Sequence, residues 1–337
     1  MIIKLLYIGN KLASHGNTET SIEILGRFLE VEGYEMYYAS SYKNKIARML
    51  DMIFKTIQYS RKVEYVLIDV YSTQNFWFAL LSSQLCRILK LKYISILHGG
   101  NLPERINNNF FISKLIFNNS YKNSAPSRYL YEIFKKANYK NVVYIPNTIN
   151  IENYSFKERE NLVPRLLWVR SFSTIYNPIM AIKVLSRLKK DFPNAKLCMV
   201  GPDKENLIDE YKLLAKELNV EVEFTGKLAK EEWIKLSEDY NVFINTTNFD
   251  NTPLSVIEAM ALGLPVVSTN VGGIPFLLSN NENGLLVDVN DSEAMAGAIK
   301  TLFSNRIFYE TIVSNARNKS ETFDWNVVKM DWSEILK

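Results

Sequence analysis

Twice along its length, this chain alternates short apolar runs with amphipathic stretches of helical period, and that pattern constrains its fold more than any other feature. In the first half the runs are Ile2–Ile8, Glu35–Ala39, Tyr65–Ile68, Tyr93–Leu97 and Val142–Ile145. Helical patterns lie near Thr18–Glu32, Lys45–Ser60, Asn75–Leu89 and Ser127–Ala137. Strand, helix and strand in succession require a parallel sheet with crossover helices. Strands covered on both faces read as unbroken apolar runs, as these do. The polar stretch Pro146–Pro164 breaks the pattern and reads as a linker. Strands then resume at Leu166–Val169, Lys196–Val200, Glu221–Thr225, Val242–Asn245 and Pro265–Ser268. Helices are expected near Pro178–Lys190, Lys204–Leu218, Lys230–Asp239, Pro253–Leu262 and Ser292–Ser304. The expectation is an α/β protein with Rossmann-like domains over residues 1–150 and 151–320. A final helix within 321–337, with Trp325, Val328 and Trp332 on one side, is expected to pack back towards the first domain.

The total of 337 residues suits two domains. Cys86 and Cys198 both sit in apolar runs and read as buried free thiols. With only two histidines, no zinc set can be assembled, and no metal is expected. The opening MIIKLLYIG reads as a buried strand rather than a signal peptide. No run approaches the ~20 apolar residues of a spanning helix, so a cytoplasmic protein is expected. Charge is uneven: residues 1–150 hold 19 Lys and Arg against 10 Asp and Glu, and residues 151–337 hold 21 against 26. A basic half can face an anionic surface, or the imbalance can be solvated and of no consequence.

Open α/β sheets bind ligands beyond the carboxyl ends of their strands, so polar residues just after strands carry the chemistry. The stretch Asn245–Leu278, NTTNFDNTPLSVIEAMALGLPVVSTNVGGIPFLL, stands out. A strand ends at Asn245 and a helix is expected to begin around Pro253, with Thr252 as its cap. The N–H groups and positive dipole end at Thr252–Ser255 suit a diphosphate. Glu258, further into the helix, can take two hydrogen bonds from a ribose diol. Asp250 lies on the loop side, within reach of a sugar hydroxyl. Gly272 and Gly273 would let the backbone approach a ligand closely.

These residues resemble the donor-binding signature of family-4 retaining glycosyltransferases, whose fold is GT-B, two Rossmann-like domains facing across a cleft. That family shows Glu-x7-Glu, an EAMA-x-G-x-PVV run and a Gly-Gly loop. This chain has Asp250, Glu258 in EAMALGLPVV, and Gly272–Gly273. The resemblance implies that Glu258 holds the nucleotide ribose and that Asp250, one methylene shorter than the family's glutamate, faces the donor hexose. It implies that the backbone of Asn251, Thr252, Pro253 and Leu254 donates N–H groups to the donor. LHGG at Leu97–Gly100 resembles the family's His-Gly loop, which implies His98 at the sugar, with Gly99 and Gly100 beside it. Gly16–Asn17 stands where the family's first Gly-Gly loop lies on the acceptor side, and Pro146–Thr148 resembles the interdomain Pro-Asn-Gly. MVGPD, containing Gly201, and FTGK, ending in Lys227, match strand-end loops of the nucleotide domain. Of the family's cationic pair only Arg170 has a counterpart; no lysine lies near Asn177, and Lys227 or Lys204 are the candidate replacements.

The resemblance implies a retaining, metal-independent transfer of a hexose-type sugar from a nucleotide diphosphate donor to a glycan or lipid-linked glycan, in surface polysaccharide synthesis. The nucleotide sugar is substrate, and no cofactor is implied. Rival readings are a sugar-nucleotide epimerase and a binding subunit with impaired catalysis. A nicotinamide dehydrogenase is disfavoured by the lack of G-x-G-x-x-G, and nucleic-acid binding by the lack of a recognisable module. The basic amphipathic stretch Tyr42–Lys62 is compatible with peripheral contact at the inner face of the cytoplasmic membrane. Packing of its apolar side on the sheet is the competing and favoured expectation.

Overall fold

The computed structural model describes residues 2–13, 19–160 and 163–337. It divides into two units, Met1–Thr148 with Val328–Lys337, and Ile149–Val327. The first unit is built on a sheet of strands β1 (Lys4–Ile8), β2 (Glu35–Ala39), β3 (Tyr65–Val70), β4 (Lys92–Leu97), β5 (Lys122–Ala125) and β6 (Val142–Tyr144). Their spatial order is β2-β1-β3-β4-β5-β6, and every pairing is parallel. The chain steps one way from β1 to β2 and the other way from β2 onward. Right-handed crossovers then place the helix Ser21–Val31 on one face, and Lys45–Tyr59, Asn75–Ile88 and Phe110–Phe117 together on the other. Within this unit, Lys329 on the last helix reaches Glu32 at 3.1 Å, and the Tyr65 hydroxyl donates to the Lys337 carbonyl.

The second unit repeats the plan with β7 (Arg165–Val169), β8 (Lys196–Val200), β9 (Val222–Gly226), β10 (Val242–Asn245), β11 (Val266–Thr269) and β12 (Leu285–Val287). The order β12-β11-β10-β7-β8-β9 is again wholly parallel. Alternate residues feed separate cores. Leu166, Trp168, Met199 and Ile244 pack into one cluster, while Leu167, Cys198, Val200 and Phe243 pack into the other. That is the period-2 signature of a sheet buried on both faces.

Five features differ from the expectations. Strand β5 reads KNSA, with no apolar run to announce it. Its Asn123 is buried because its amide donates to the Phe117 carbonyl and to Asn141 Oδ1, both at 2.9 Å. The helix Arg306–Glu321 and strand β12 also went unread. Residues after Ile149 are no free linker. The Ile149 amide donates to Phe323 at 3.0 Å, the Trp325 amide donates back to Ile149 at 2.8 Å, and Tyr154 and Arg159 are buried. Lastly, the stripe Ile46, Leu50, Phe54 and Ile57 does not pack on the sheet. It points outward, and Arg48, Met52 and Thr56 form the buried side of that helix.

Both cysteines are buried and unpaired, their thiols pushed up to about 12 by burial, which leaves little thiolate at neutral pH. Trp168 is fully buried, tilted against Phe172 at 5.2 Å, with its indole N–H donating to Thr246 at 3.0 Å. Trp168→Ala should cost about 3–5 kcal/mol, read as a lower urea midpoint at unchanged m-value.

Candidate active site

In the second unit the chain order reverses between β7 and β10, which are neighbours although distant in sequence. Crossover helices leave such a point towards opposite faces, so the loops at its carboxyl edge diverge and leave a crevice. Arg170 immediately follows β7, and Asn245 ends β10. The Arg170 guanidinium pairs with the Asp250 carboxylate, lies 3.4 Å from Asn245 Oδ1, and sits 4.8 Å from the Tyr176 ring centroid. Arg170 and Asp250, read separately as a phosphate cation and a sugar-facing acid, thus hold each other in this state. Asp250 also accepts the Asn251 amide at 2.8 Å.

The following helix begins at Leu254, with Pro253 at the cap position and no side chain capping it. This corrects the expected Thr252 cap. In the first turn the Val256 amide already donates to the Pro253 carbonyl at 3.1 Å, whereas the N–H groups of Leu254 and Ser255 come too early in the helix for an intrahelical acceptor, and the Ser255 hydroxyl is buried without a partner among the described residues. Gly272 and Gly273 pack against the backbone of this loop. A Cβ on Gly272 would lie 2.1 Å from the Asp250 carbonyl oxygen, and one on Gly273 1.8 Å from that of Asn251. Gly273 also donates its amide to Asp250 at 2.9 Å. The glycines are required because two backbones touch there.

Glu258 is buried, with its side chain only 5% exposed. One of its oxygens accepts from the Tyr154 hydroxyl at 2.9 Å and pairs with Lys230. The Tyr154 hydroxyl is held far above its ordinary range, by burial first and then by the Glu258 charge. Sequence reasoning missed both partners. They lie 104 and 28 residues away, and only the fold brings them in. Lys230 is a further lysine of this unit, beside Lys227 and Lys204, and its charge is engaged by Glu258. Lys227 and Lys204 lie exposed on the loops after β9 and β8. Gly201, after β8, packs so closely on the Arg170 carbonyl that a Cβ would meet it at 1.7 Å.

The first unit gathers a second cluster at its own reversal, between β1 and β3. His98 follows β4, and its Nε2 lies 2.8 Å from Asp69 Oδ1. The Tyr7 hydroxyl donates to the same oxygen at 3.0 Å, and burial followed by the Asp69 charge holds that hydroxyl well above its usual range. With Nε2 committed to Asp69, Nδ1 faces the Ser21 hydroxyl at 3.4 Å. Asp69 Oδ2 is buried and without a partner among the described residues, against the Cα of Gly9, where a Cβ would come within 2.5 Å. Asp69 was also missed, although a lone carboxylate closing the apolar run YVLIDV was a readable signal. Gly99 packs on the Ser72 backbone and Gly100 continues the turn. Gly16 and Asn17 lie outside the described residues.

Residues 150–319, which include Arg170, Asp250, Glu258 and Lys230, match the family model of glycosyl transferases group 1. The chain belongs to this family. Among group 1 relatives it is 26% identical over 181 residues to a Campylobacter jejuni enzyme. That enzyme is named as an α-1,4-N-acetyl-D-galactosaminyltransferase for GalNAc-alpha-(1->4)-GalNAc-alpha-(1->3)-diNAcBac-PP-undecaprenol. It is 31% identical over 163 residues to CapM, a capsular polysaccharide biosynthesis glycosyltransferase of Staphylococcus aureus. These matches take in 53% and 48% of this chain, and it spans only 48% and 41% of those relatives. The crystal structure of Anabaena HepE in complex with UDP-glucose superposes with a TM-score of 0.77 at 18% identity, covering 99% of both chains. The fold is GT-B.

Glu258→Ala should strand the buried Tyr154 hydroxyl and cost about 1–3 kcal/mol, read as a lower urea midpoint. Glu258→Gln, which keeps an acceptor for Tyr154, should recover most of that loss.

Proposed function

We propose that the chain is a family-4 retaining glycosyltransferase. In this reading it moves a hexose-type sugar from a nucleotide diphosphate donor to a hydroxyl of a glycan or lipid-linked glycan, in surface polysaccharide assembly. One observation carries the reading: an uncapped helix N-terminus, a carboxylate anchored by Tyr154 and Lys230, and Arg170 are all on the family-matched segment. A diphosphate needs N–H donors and a cation; a ribose diol needs a fixed acceptor carboxylate. The lipid-linked substrate in the Campylobacter relative's name, the capsule in CapM's, and the UDP-glucose on HepE support the choice of substrates.

In this mechanism the second unit binds the donor and the first unit the acceptor. The bond from the anomeric carbon to the diphosphate oxygen breaks as the acceptor oxygen bonds to the same face of that carbon. The acceptor proton passes to the departing phosphate. Negative charge growing on that phosphate is met by the Leu254 end of the helix and by Arg170, which leaves Asp250 to receive the sugar. No metal enters this scheme, and it runs on the cytoplasmic side of a membrane. Among the described residues, no helix is long and apolar enough to cross one. The Tyr42–Lys62 stretch is the proposed membrane contact. A second reading, a binding subunit without turnover, draws on the Arg170–Asp250 pair, which engages the cation this scheme assigns to the diphosphate.

UDP-, GDP- and ADP-sugars should be screened by thermal shift. The cognate donor at 100 Kd should stabilise by about 2.7 kcal/mol. With donor and acceptor present, nucleotide release should persist in EDTA and fall by about 10²–10³ in Arg170→Ala. Binding without release would favour the subunit reading, and no binding by any donor would sink both.

A further inference from the structure

The outer face of the first unit is not a solvated helix layer. On the helix Lys45–Tyr59, Ile46, Leu50, Phe54 and Ile57 stand between 53% and 67% exposed. The next helix, Asn75–Ile88, exposes Trp77, Leu81 and Ile88, which share one stripe at helical spacing. Phe110–Phe117 adds Phe111, 80% exposed, and Leu115. Right-handed crossovers put these three helices on the same side of the sheet, and contacts knit them together. Lys45 Nζ reaches Gln74 at 2.6 Å, and the Gln84 amide donates to the Leu115 carbonyl at 3.2 Å. Scattered exposed leucines are ordinary; a continuous outward apolar face across three neighbouring helices marks a binding surface.

Charge identifies the occupant. Residues 41–62, 73–92 and 109–122, which contain these helices, carry ten Lys and Arg besides the buried Arg48, against a single acid, Asp51. A second copy docked through the same face would bring the same positive charge to the contact and be repelled. An anionic bilayer answers both features, since apolar and aromatic side chains enter the interface while lysine and arginine heads meet lipid phosphates. We propose that this three-helix face docks on an anionic phospholipid bilayer. The inference deepens the lipid-linked acceptor reading by widening the contact from one segment to a surface that includes Trp77, Leu81, Phe111 and Leu115.

The chain contains its own probe. Of its five tryptophans only Trp77 faces solvent, at 44% exposure, while Trp168, Trp233, Trp325 and Trp332 are at 6% or below. The test titrates the full chain with vesicles of phosphatidylcholine and phosphatidylglycerol at about 70:30, and with pure phosphatidylcholine. Binding is read by co-sedimentation and by tryptophan emission. Anionic vesicles should sediment the protein and shift the emission to the blue, and Trp77→Phe should abolish the shift. Leu50→Ser with Phe54→Ser should weaken partition about tenfold or more. Lys43→Glu with Lys45→Glu should erase the preference for anionic lipid, and added salt should weaken binding by wild type. Donor stabilisation in the vesicle-free thermal shift should be the same in both double variants and wild type, so failure here is distinct from failure of the transferase reading. The proposal is overturned if Trp77 emission is indifferent to anionic vesicles, or if binding ignores charge reversal. It is equally overturned if the chain forms, without lipid, a concentration-dependent dimer that shields Trp77.

Discussion

Every strand in each sheet points the same way, and this constraint organises the rest of the molecule. Parallel strands deliver all their carboxyl ends to one edge, where the ladder stops and polar loops begin. Where the order of strands reverses, the helices on either side part to opposite faces, and side chains at that edge are not covered by a crossover. Arg170 and Asp250 meet at the reversal between β7 and β10, and Gly9 and Asp69 at the one between β1 and β3. The same topology thus gives each unit one polar cluster, and the residues placed there decide what each cluster can hold.

The two clusters differ in electrostatic completeness. Around Glu258, a phenol and an ammonium share one carboxylate oxygen, which fixes the acid. Arg170 pairs with Asp250, so an incoming anion must exchange one negative partner for another rather than fill an empty cation site. Such exchange costs less desolvation than exposing a bare guanidinium would. In the first unit, Asp69 is only half satisfied among the described residues, and a buried carboxylate oxygen without a donor is expensive to maintain. It directs the His98 ring instead, by occupying Nε2 and turning Nδ1 the other way.

Much of this was legible before any coordinates, and what escaped did so for definite reasons. Ten of the twelve strands announced themselves as apolar runs, because strands buried on both faces have no choice of composition. Strand β5 stayed hidden because it is polar: the buried Asn123 is held by its amide's bonds to the Phe117 carbonyl and Asn141, which no hydrophobic pattern can signal. Glu258 was found by its motif, but its anchors Tyr154 and Lys230 were not, since partners so remote along the chain carry no local mark. Gly272–Gly273 reads in sequence as room for a ligand, and the fold adds a second requirement, a close crossing of two backbones. The helix Lys45–Tyr59 was the sharpest reversal. Amphipathic periodicity reveals that one side is apolar, but not which side faces the sheet, and Arg48 and Thr56 could turn inward because each found carbonyl acceptors there.

The stretch from Ile149 to Arg159 bears on where the second unit begins. Arg159 is buried and donates to the carbonyls of Tyr240, Leu262, Gly263, Lys157 and Ser237, clasping the far end of the helix that carries Glu258. Tyr154, five residues upstream, grips Glu258 itself. Recombinant dissection guided by the first strand alone would cut near Pro164. The fragment would keep all six strands of its sheet but lack the hydroxyl and guanidinium that steady that helix along its length. As a folding unit, the second half therefore starts some fifteen residues ahead of its sheet, in sequence that looks like connective tissue.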